Sequence, residues 1–311
     1  MPKLGADPNF LCVIHGPTAV GKSSLAVEWA LMLGAEIISA DSMQVYRGMD
    51  IGTGKLTIPE RRGVPHHLLD VAEPTENYSV ANFLRDATPI LSDLLARGIP
   101  VLVVGGTGYY VRALIDGIVP GPPPDYRLRR RLAEEARLRP EGWLRDELRK
   151  VDPERAEVLH PHDEKRLIRA LEFLPATGVP MRAAARRTSA PEWSGRAVRL
   201  GLTCDWRVLD ERIERRVDAM LARGLVEEVR ALLSRGCGPQ HTAMQAIGYK
   251  EMVEHLAGRK SLSETRGEII RKSRRYARRQ MTWLRPDKRI RWMDAADASL
   301  RNPLRLLQEK S

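Results

Sequence analysis

Four short stretches of the chain are almost continuously apolar: FLCVI at residues 10–14, AEIISA at 35–40, IPVLVVGG at 99–106 and AVRLGLTCDW at 197–206. Runs of this length, bounded by glycine, proline or polar residues, predict strands buried on both faces. Between the first three, apolar residues recur at helical spacing instead, in SSLAVEWALML (23–33) and VANFLRDATPILSDLLARG (80–98), the second closed by Gly98. Such alternation predicts a parallel sheet covered by helices, an α/β architecture. Pro120, Pro122, Pro123 and Pro124 then punctuate the chain, and the pattern changes. To about Gly195 the sequence is arginine-rich and helical, from YRLRRRLAEEARL through EKRLIRALEFL, with no strand pattern. This predicts a helical insertion at 121–195 within a core made of 1–120 and 196–311. The run at 197–206 resumes the sheet, and a helix is expected from about Leu209 through Leu233. A last helix places Ile269, Ile270, Tyr276, Ala277, Met281 and Leu284 on one face and Arg271, Lys272, Arg274, Arg275, Arg278 and Arg279 largely elsewhere.

Composition and charge narrow the class. With 311 residues and 43% hydrophobic content the chain can bury a substantial core. MPKLGADPNF lacks the apolar stretch of a signal peptide, and no run approaches the roughly 20 apolar residues of a membrane helix, so a cytoplasmic protein without a membrane partner is expected. Cys12, Cys204 and Cys237 are widely separated and form no CxxC, which suggests buried thiols rather than a zinc site or a disulfide framework. The net charge is +11. Most of that surplus lies between Arg266 and Arg291, where eleven basic residues face only Glu268 and Asp287. Such a helix is either a solvated face or the footprint of a polyanion, and the size of the surplus favours nucleic acid.

The candidate chemistry begins where the first strand ends. GPTAVGKS, residues 16–23, matches GxxxxGK[ST] after a strand and before a helix, the context that a phosphate-binding P-loop requires. Gly16, Pro17, Thr18, Ala19, Val20, Gly21, Lys22 and Ser23 would hold a diphosphate through backbone amides, the lysine charge and the helix N-terminus. The Ser23 hydroxyl can join the shell of a Mg2+ ion. The loop does not say whose phosphates these are. The third strand ends in Gly105, Gly106 and Thr107, where a motor ATPase or GTPase often carries a metal-organising aspartate. Asp41 instead follows the second strand, and ligands of parallel sheets sit outside such strand ends. Asp41 either faces ligand or caps the next turn, and Thr107 is either a ligand-side hydroxyl or a helix N-cap. His66 and His67 are adjacent and lack metal-ligand spacing, which favours a structural role. The residues alone thus reach a P-loop transferase or kinase with an RNA-compatible surface.

ISADSMQVYRGMDIGTGK (38–55) makes the reading specific. Together with GPTAVGKS, PHHLLDV, VGGTGYY, KRLIRALE, QAIGYKE and RRQMTWLR, in this order and over about residues 10–294, it resembles the tRNA dimethylallyltransferase (tRNA isopentenyltransferase) family. The resemblance implies a P-loop NTPase-like fold and transfer of a dimethylallyl group from dimethylallyl diphosphate to N6 of the adenosine 3′ of the anticodon, with diphosphate released. It implies Asp41 as base, Thr107 beside the reacting groups and Lys22 at the diphosphate. Arg216, on the helix after the resumed strand, is a candidate second clamp. The tRNA-contacting positions fall on Asp41, Ser42, Met43 and Gln44, on Thr107, on Arg129 and Lys165, Arg166, Leu167, Ile168 and Arg169 of the insertion, and on Gln245, Ala246, Ile247, Gly248, Tyr249 and Lys250. The partners implied are the tRNA anticodon stem-loop and dimethylallyl diphosphate, and a monomer is expected. Gly54, where the family usually has Ala, Asn82, where it has Asp, and Pro175, which puts the end of its helix in question, depart from the pattern. No Cys/His zinc finger follows the last motif, as expected of the bacterial branch. The competing readings are an adenylate isopentenyltransferase acting on free nucleotides, a small-molecule kinase, and an RNA-binding protein with a vestigial loop.

Overall fold

The computed structural model describes residues 10–118, 121–122, 124–181, 183–184 and 190–303; Pro120 and Pro123 of the proline cluster lie outside them. Two compact units emerge, Met1–Ile115 with Glu192–Ser311, and Asp116–Pro191.

The first unit is built on a six-stranded, all-parallel sheet: β1 (Leu11–His15), β2 (Glu36–Ser39), β3 (His66–His67), β4 (Val101–Val104), β5 (Val198–Thr203) and β6 (Arg291–Asp294), in the order β3-β2-β4-β1-β5-β6. Helices α1 (Lys22–Leu33), α2 (Ile58–Arg61), α3 (Val80–Ala96) and α4 (Gly108–Asp116) belong to its first half. The central strands read as unbroken apolar runs because both of their faces are covered. Cys12, Ile14, Ile37, Leu102 and Val104 pack with Val27, Trp29 and Leu33 of α1, whereas Leu11, Val13, Ile38, Val101 and Val103 pack with Phe83 and Leu91 of α3 and Tyr110 of α4. Each strand therefore divides its side chains between two cores, as the two-residue period of a strand dictates.

The helical insertion contains α5 (Tyr126–Leu138), α6 (Trp143–Val151), α7 (Pro153–Val158) and α8 (Glu164–Thr177). Leu144, Leu148, Leu159, Leu167 and Ile168 form its small core. Pro175 does not end α8, which runs to Thr177 and is closed by Gly178 at φ +73°. A proline in the last turn interrupts little, and the left-handed glycine gives the helix its stop.

Two further differences from expectation, the split of one helix and an added strand, have simple causes, and the two histidines are structural as expected. The helix expected over Leu209–Leu233 is two, α9 (Trp206–Ala222) and α10 (Leu225–Ser234), because Gly224 sits at φ +97° between them. His66 and His67 form β3 at the sheet edge; His66 Nδ1 pairs with the Val64 carbonyl at 2.8 Å and His67 Nε2 with Glu36 at 2.6 Å. The strand β6 escapes pattern recognition because RWMD buries only Met293. The remaining helices are α11 (Tyr249–Leu256) and α12 (Leu262–Leu284), and Val217, Val229, Tyr249, Met252, Ile269 and Ile270 of α9 to α12 join Val45, Tyr46 and Met49 in a third core. Asn82 replaces an acid without loss, since it completes a capping box with Ser79 at the start of α3. Cys12, Cys204 and Cys237 form no disulfide; Cys12 and Cys237 are buried as expected, whereas Cys204 is only half-buried. Among the described residues no helix is long and apolar enough to cross a membrane.

Candidate active site

The ends of β1, β2 and β4 converge on one rim, and the phosphate loop starts there. Gly16 leaves β1 at φ +141°, and a Cβ at this position would come within 2.7 Å of the Leu202 carbonyl oxygen. Gly21, at φ +106°, caps α1 without any side chain to occupy the first-turn amides. Those amides are therefore offered to an anion, as in the dipole arrangement of phosphate-binding helices. Lys22 is 9% exposed, and its Nζ donates to the Gly16 and Pro17 carbonyls at 2.9 and 2.7 Å. Burial lowers its pKa from the ordinary 10.5 to about 8; Asp41 opposes the shift and Arg216 adds to it.

Asp41 and Thr107 are brought together by backbone crowding. A Cβ on Gly105 would lie 2.1 Å from the Ala40 carbonyl oxygen, so only glycine allows the ends of β2 and β4 to approach this closely. Ala40 N is bonded to the Val104 carbonyl at 2.8 Å and Thr107 N to that of Ala40 at 3.2 Å, extending the pairing past the strands. Asp41 Oδ1 accepts from Met43 N at 2.9 Å and Gln44 N at 3.4 Å, which is the turn-capping role. Among the described residues its Oδ2 receives no hydrogen bond, and it lies 3.5 Å from the position a Gly106 Cβ would take. The two readings of Asp41 are thus compatible: one oxygen holds the turn and the other faces the rim. Thr107 immediately precedes α4, yet its hydroxyl does not cap that helix. It accepts from Ser42 N at 2.9 Å and donates to Ser42 Oγ at 3.1 Å, tying the β4 turn to the DSMQ segment.

Arg216 of α9 reaches the same rim. Its Nη2 donates to the Thr53 carbonyl at 3.1 Å, and burial lowers its pKa while the charge of Asp41 opposes the shift. Gly54 has φ +65°, and a Cβ there would overlap the Arg216 guanidinium at 2.2 Å. The glycine gives the arginine its space. Gln44 donates to the Thr53 carbonyl at 3.4 Å. The loop carrying these carbonyls is itself pinned by Glu228 of α10, which accepts from Asp50 N, Ile51 N and Gly52 N at 2.7–3.1 Å and from the Tyr249 hydroxyl at 2.6 Å. Lys55, 4% exposed, closes its other end on Asp50 and Asp70 at 2.7 and 2.5 Å.

Several positions carried over as tRNA contacts are structural. Leu167 and Ile168 lie in the core of the insertion, and Tyr249 is 0% exposed with its hydroxyl on Glu228, so these side chains pack rather than face a ligand. Gly248 is buried as well. Arg129 makes a two-pronged pair with the buried Glu172 at 2.9 and 2.8 Å, and Arg169 binds the same carboxylate and, at 2.9 Å, the Pro122 carbonyl. Lys165, Arg166, Gln245 and Lys250 are exposed. Arg166 pairs with Asp163 at 3.3 Å, and Gln245 donates to the Pro239 carbonyl at 2.5 Å.

The basic surplus of α12 is partly neutralised within the fold. Arg266 pairs with Glu214 and Asp218, Arg274 with Asp210 and Glu214, and Arg278 with Asp210, all acids of α9. Lys272 pairs with Glu251 and Glu268. Arg271, Arg275 and Arg279 are exposed, held by no acidic side chain among the described residues, and spaced four apart on one stripe. Arg279 lies 6.0 Å above the Tyr276 ring, whose hydroxyl reaches the Gly106 carbonyl at 3.3 Å. Burial, reinforced by Asp41, raises the pKa of that hydroxyl.

Sequence reasoning missed Glu228, Tyr276 and Gln280. Gln280 is 7% exposed, a polar residue on the buried stripe with Ala277 and Leu284, and that breach of the apolar pattern is the signal that marks it.

The sequence profile of IPP transferase matches residues 44–287, and that of isopentenyl transferase matches residues 10–71. The tRNA dimethylallyltransferase 1 of Pelobacter propionicus is 48% identical over 289 residues, covering 93% of each chain. The tRNA dimethylallyltransferase of Geobacter metallireducens is 46% identical over 288 residues, again 93% of each. Among solved structures, the full-length tRNA isopentenylpyrophosphate transferase of Bacillus halodurans is 43% identical, with 92% of this chain and 90% of that one covered and a TM-score of 0.67. A eukaryotic dimethylallyltransferase acting on tRNA is 29% identical, with 94% and 75% covered and a TM-score of 0.79. With a phosphate loop and the DSMQ carboxylate on one rim, and with relatives of this extent and identity, the chain belongs to the tRNA dimethylallyltransferase family.

Proposed function

We propose that this enzyme transfers a dimethylallyl group from dimethylallyl diphosphate to N6 of the adenosine 3′ of the anticodon in tRNA, in the cytoplasm, releasing diphosphate. The observation that carries the reading is the rim itself, where Asp41 Oδ2, which no donor among the described residues meets, borders the Gly106–Thr107 turn in the electrostatic field of Lys22 and Arg216. An exocyclic adenine amine is a weak nucleophile. As its nitrogen forms a bond to the allylic carbon, the carbon–oxygen bond breaks and its electron pair leaves with the diphosphate. The N6 proton passes to Asp41, a base contribution of about 10² to 10⁴ in rate. Lys22, the loop amides and Arg216 stabilise the charge that grows on the leaving group. Thr107, through Ser42, keeps the segment bearing Asp41 against the β4 turn.

Among the described residues no group of three or more His, Cys, Asp or Glu side chains could hold a metal. The donor set fits Mg2+ of the kind that takes one hydroxyl, here that of Ser23, with its other ligands from phosphate oxygens and water. Such an ion, when bound, adds positive charge at the diphosphate.

Anticodon stem-loop RNA incubated with the protein and dimethylallyl diphosphate, then digested to nucleosides for mass analysis, should yield N6-dimethylallyladenosine, while free AMP in the same mixture stays unmodified. Prenylation of AMP alone, or consumption of ATP in place of the prenyl donor, would overturn the proposal.

Lys22 gives the binding step a pH signature. Its pKa in the folded protein is depressed to about 8, and an adjacent diphosphate raises it again. Binding dimethylallyl diphosphate without RNA at about pH 9 should therefore take up a proton, and affinity should fall as pH rises through that range, whereas at about pH 7 the lysine is already charged. Calorimetry in buffers of different ionisation enthalpy reads the uptake. Lys22→Met should abolish it, and equal uptake in wild type and variant would remove Lys22 from the diphosphate site.

Arg271, Arg275 and Arg279 are assigned to RNA phosphates. Their replacement by Gln should flatten the slope of log K against log salt for stem-loop RNA by roughly 0.7 to 0.9 per lost contact and leave dimethylallyl diphosphate affinity unchanged. An unaltered slope would confine the stripe to solvent.

A further inference from the structure

Gln280 of α12 has each end of its amide on a different part of the rim. Oε1 accepts from Thr18 N, in the phosphate loop, at 2.8 Å, and Nε2 donates to the Gly106 carbonyl, next to Thr107, at 2.8 Å. These partners are 262 and 174 residues away in sequence. A Cβ on Gly106 would stand 2.7 Å from Gln280 Nε2 and 3.5 Å from Asp41 Oδ2, so the amide and the proposed base border the same small volume. The Tyr276 hydroxyl, one turn earlier on α12, meets the same carbonyl.

We propose that Gln280 is a positioning residue for prenyl transfer, fixing the separation between the phosphate loop, which places the electrophilic carbon, and the Gly106–Thr107 turn, which places the acceptor against Asp41. It touches neither substrate and acts through Thr18 and Gly106. The planar amide makes this linkage stiff. Its oxygen and nitrogen point to opposite partners, a neutral donor–acceptor pair suits a backbone N–H on one side and a carbonyl on the other, and the Gln280 side chain itself is buried. Transfer by in-line displacement is sensitive to such a distance, since a misplacement of about 1 Å between reacting groups costs about 10² in rate. Holding each substrate is less sensitive, because each binds mainly to one side of the linkage.

The inference rests on the transferase reading, and its test separates the two. Gln280→Met keeps side-chain length and removes both hydrogen bonds. Single-turnover transfer to stem-loop RNA should slow by about tenfold to 10², while the Kd values for dimethylallyl diphosphate and for the RNA, measured separately, stay within about threefold of wild type. That split would not arise from general destabilisation, which lowers rate and binding together. Should Gln280→Met fail to fold, Gln280→Glu keeps the bond from Thr18 N–H and sets an oxygen against the Gly106 carbonyl. The same loss of rate exceeding any loss of RNA affinity is then expected. A folded variant that transfers at the wild-type rate, or whose rate falls only in step with dimethylallyl diphosphate affinity, overturns the role of Gln280. Failure of the wild-type protein itself to form the prenylated nucleoside would instead sink the transferase reading.

Discussion

Two buried cations and one carboxylate that act on one another at the same protein rim set the terms for the rest of this structure. Lys22 and Arg216 both have lowered pKa values because burial strips water from their charges, and Asp41 is the acid that opposes both shifts. The fall of Lys22 from 10.5 to about 8 corresponds to about 3 kcal/mol against its charged form. An anion entering the rim relieves that penalty directly. A buried cation of this kind favours an anion over a neutral molecule, as the proposed diphosphate site requires.

Maintaining this arrangement explains much of the surrounding fold. Gly16 and Gly105 let backbone pass where a side chain would collide with Leu202 or Ala40, and Gly54 leaves space for the Arg216 guanidinium. Glu228 and Lys55 hold the two ends of the loop whose Thr53 carbonyl receives Arg216. Thr107 and Gln280 tie the β4 turn to the DSMQ segment and to the phosphate loop. The proposed catalytic groups thus sit on short segments after strands, and residues far away in sequence fix where those segments stop. This is the usual division in parallel sheets, with chemistry at the strand ends and geometry set by the elements packed around them.

The phosphate loop and the central strands were legible in the sequence because their signals are local: glycine spacing for the loop, short and largely apolar runs for β1, β2, β4 and β5. Asp41 was legible as a candidate from its place after β2, and its dual use was not, since two oxygens of one carboxylate have no separate sequence signature. The break at Gly224 was hidden because apolar spacing continues across it. Positions such as Leu167, Ile168 and Tyr249 entered the RNA-binding set with their motif neighbours, although the helical period of EKRLIRALEFL already placed the first two on the apolar face. The even charge of α12 in the sequence likewise concealed its division between arginines paired to α9 and the exposed stripe of Arg271, Arg275 and Arg279. Pairing across that many residues is a property of the folded chain.

The central claim is that Asp41 serves the acceptor while Lys22 and Arg216 serve the diphosphate, although all three share one electrostatic environment. Replacing Asp41 by Asn separates these roles, because the amide keeps the turn-capping oxygen and removes both the base and the charge that competes with the ligand for the two cations. The direct measurement is single-turnover transfer to anticodon stem-loop RNA alongside the affinity for dimethylallyl diphosphate without RNA. The account predicts a rate lower by about 10² or more with an affinity unchanged or tighter. A rate near wild type, or an affinity that falls together with the rate, would contradict it.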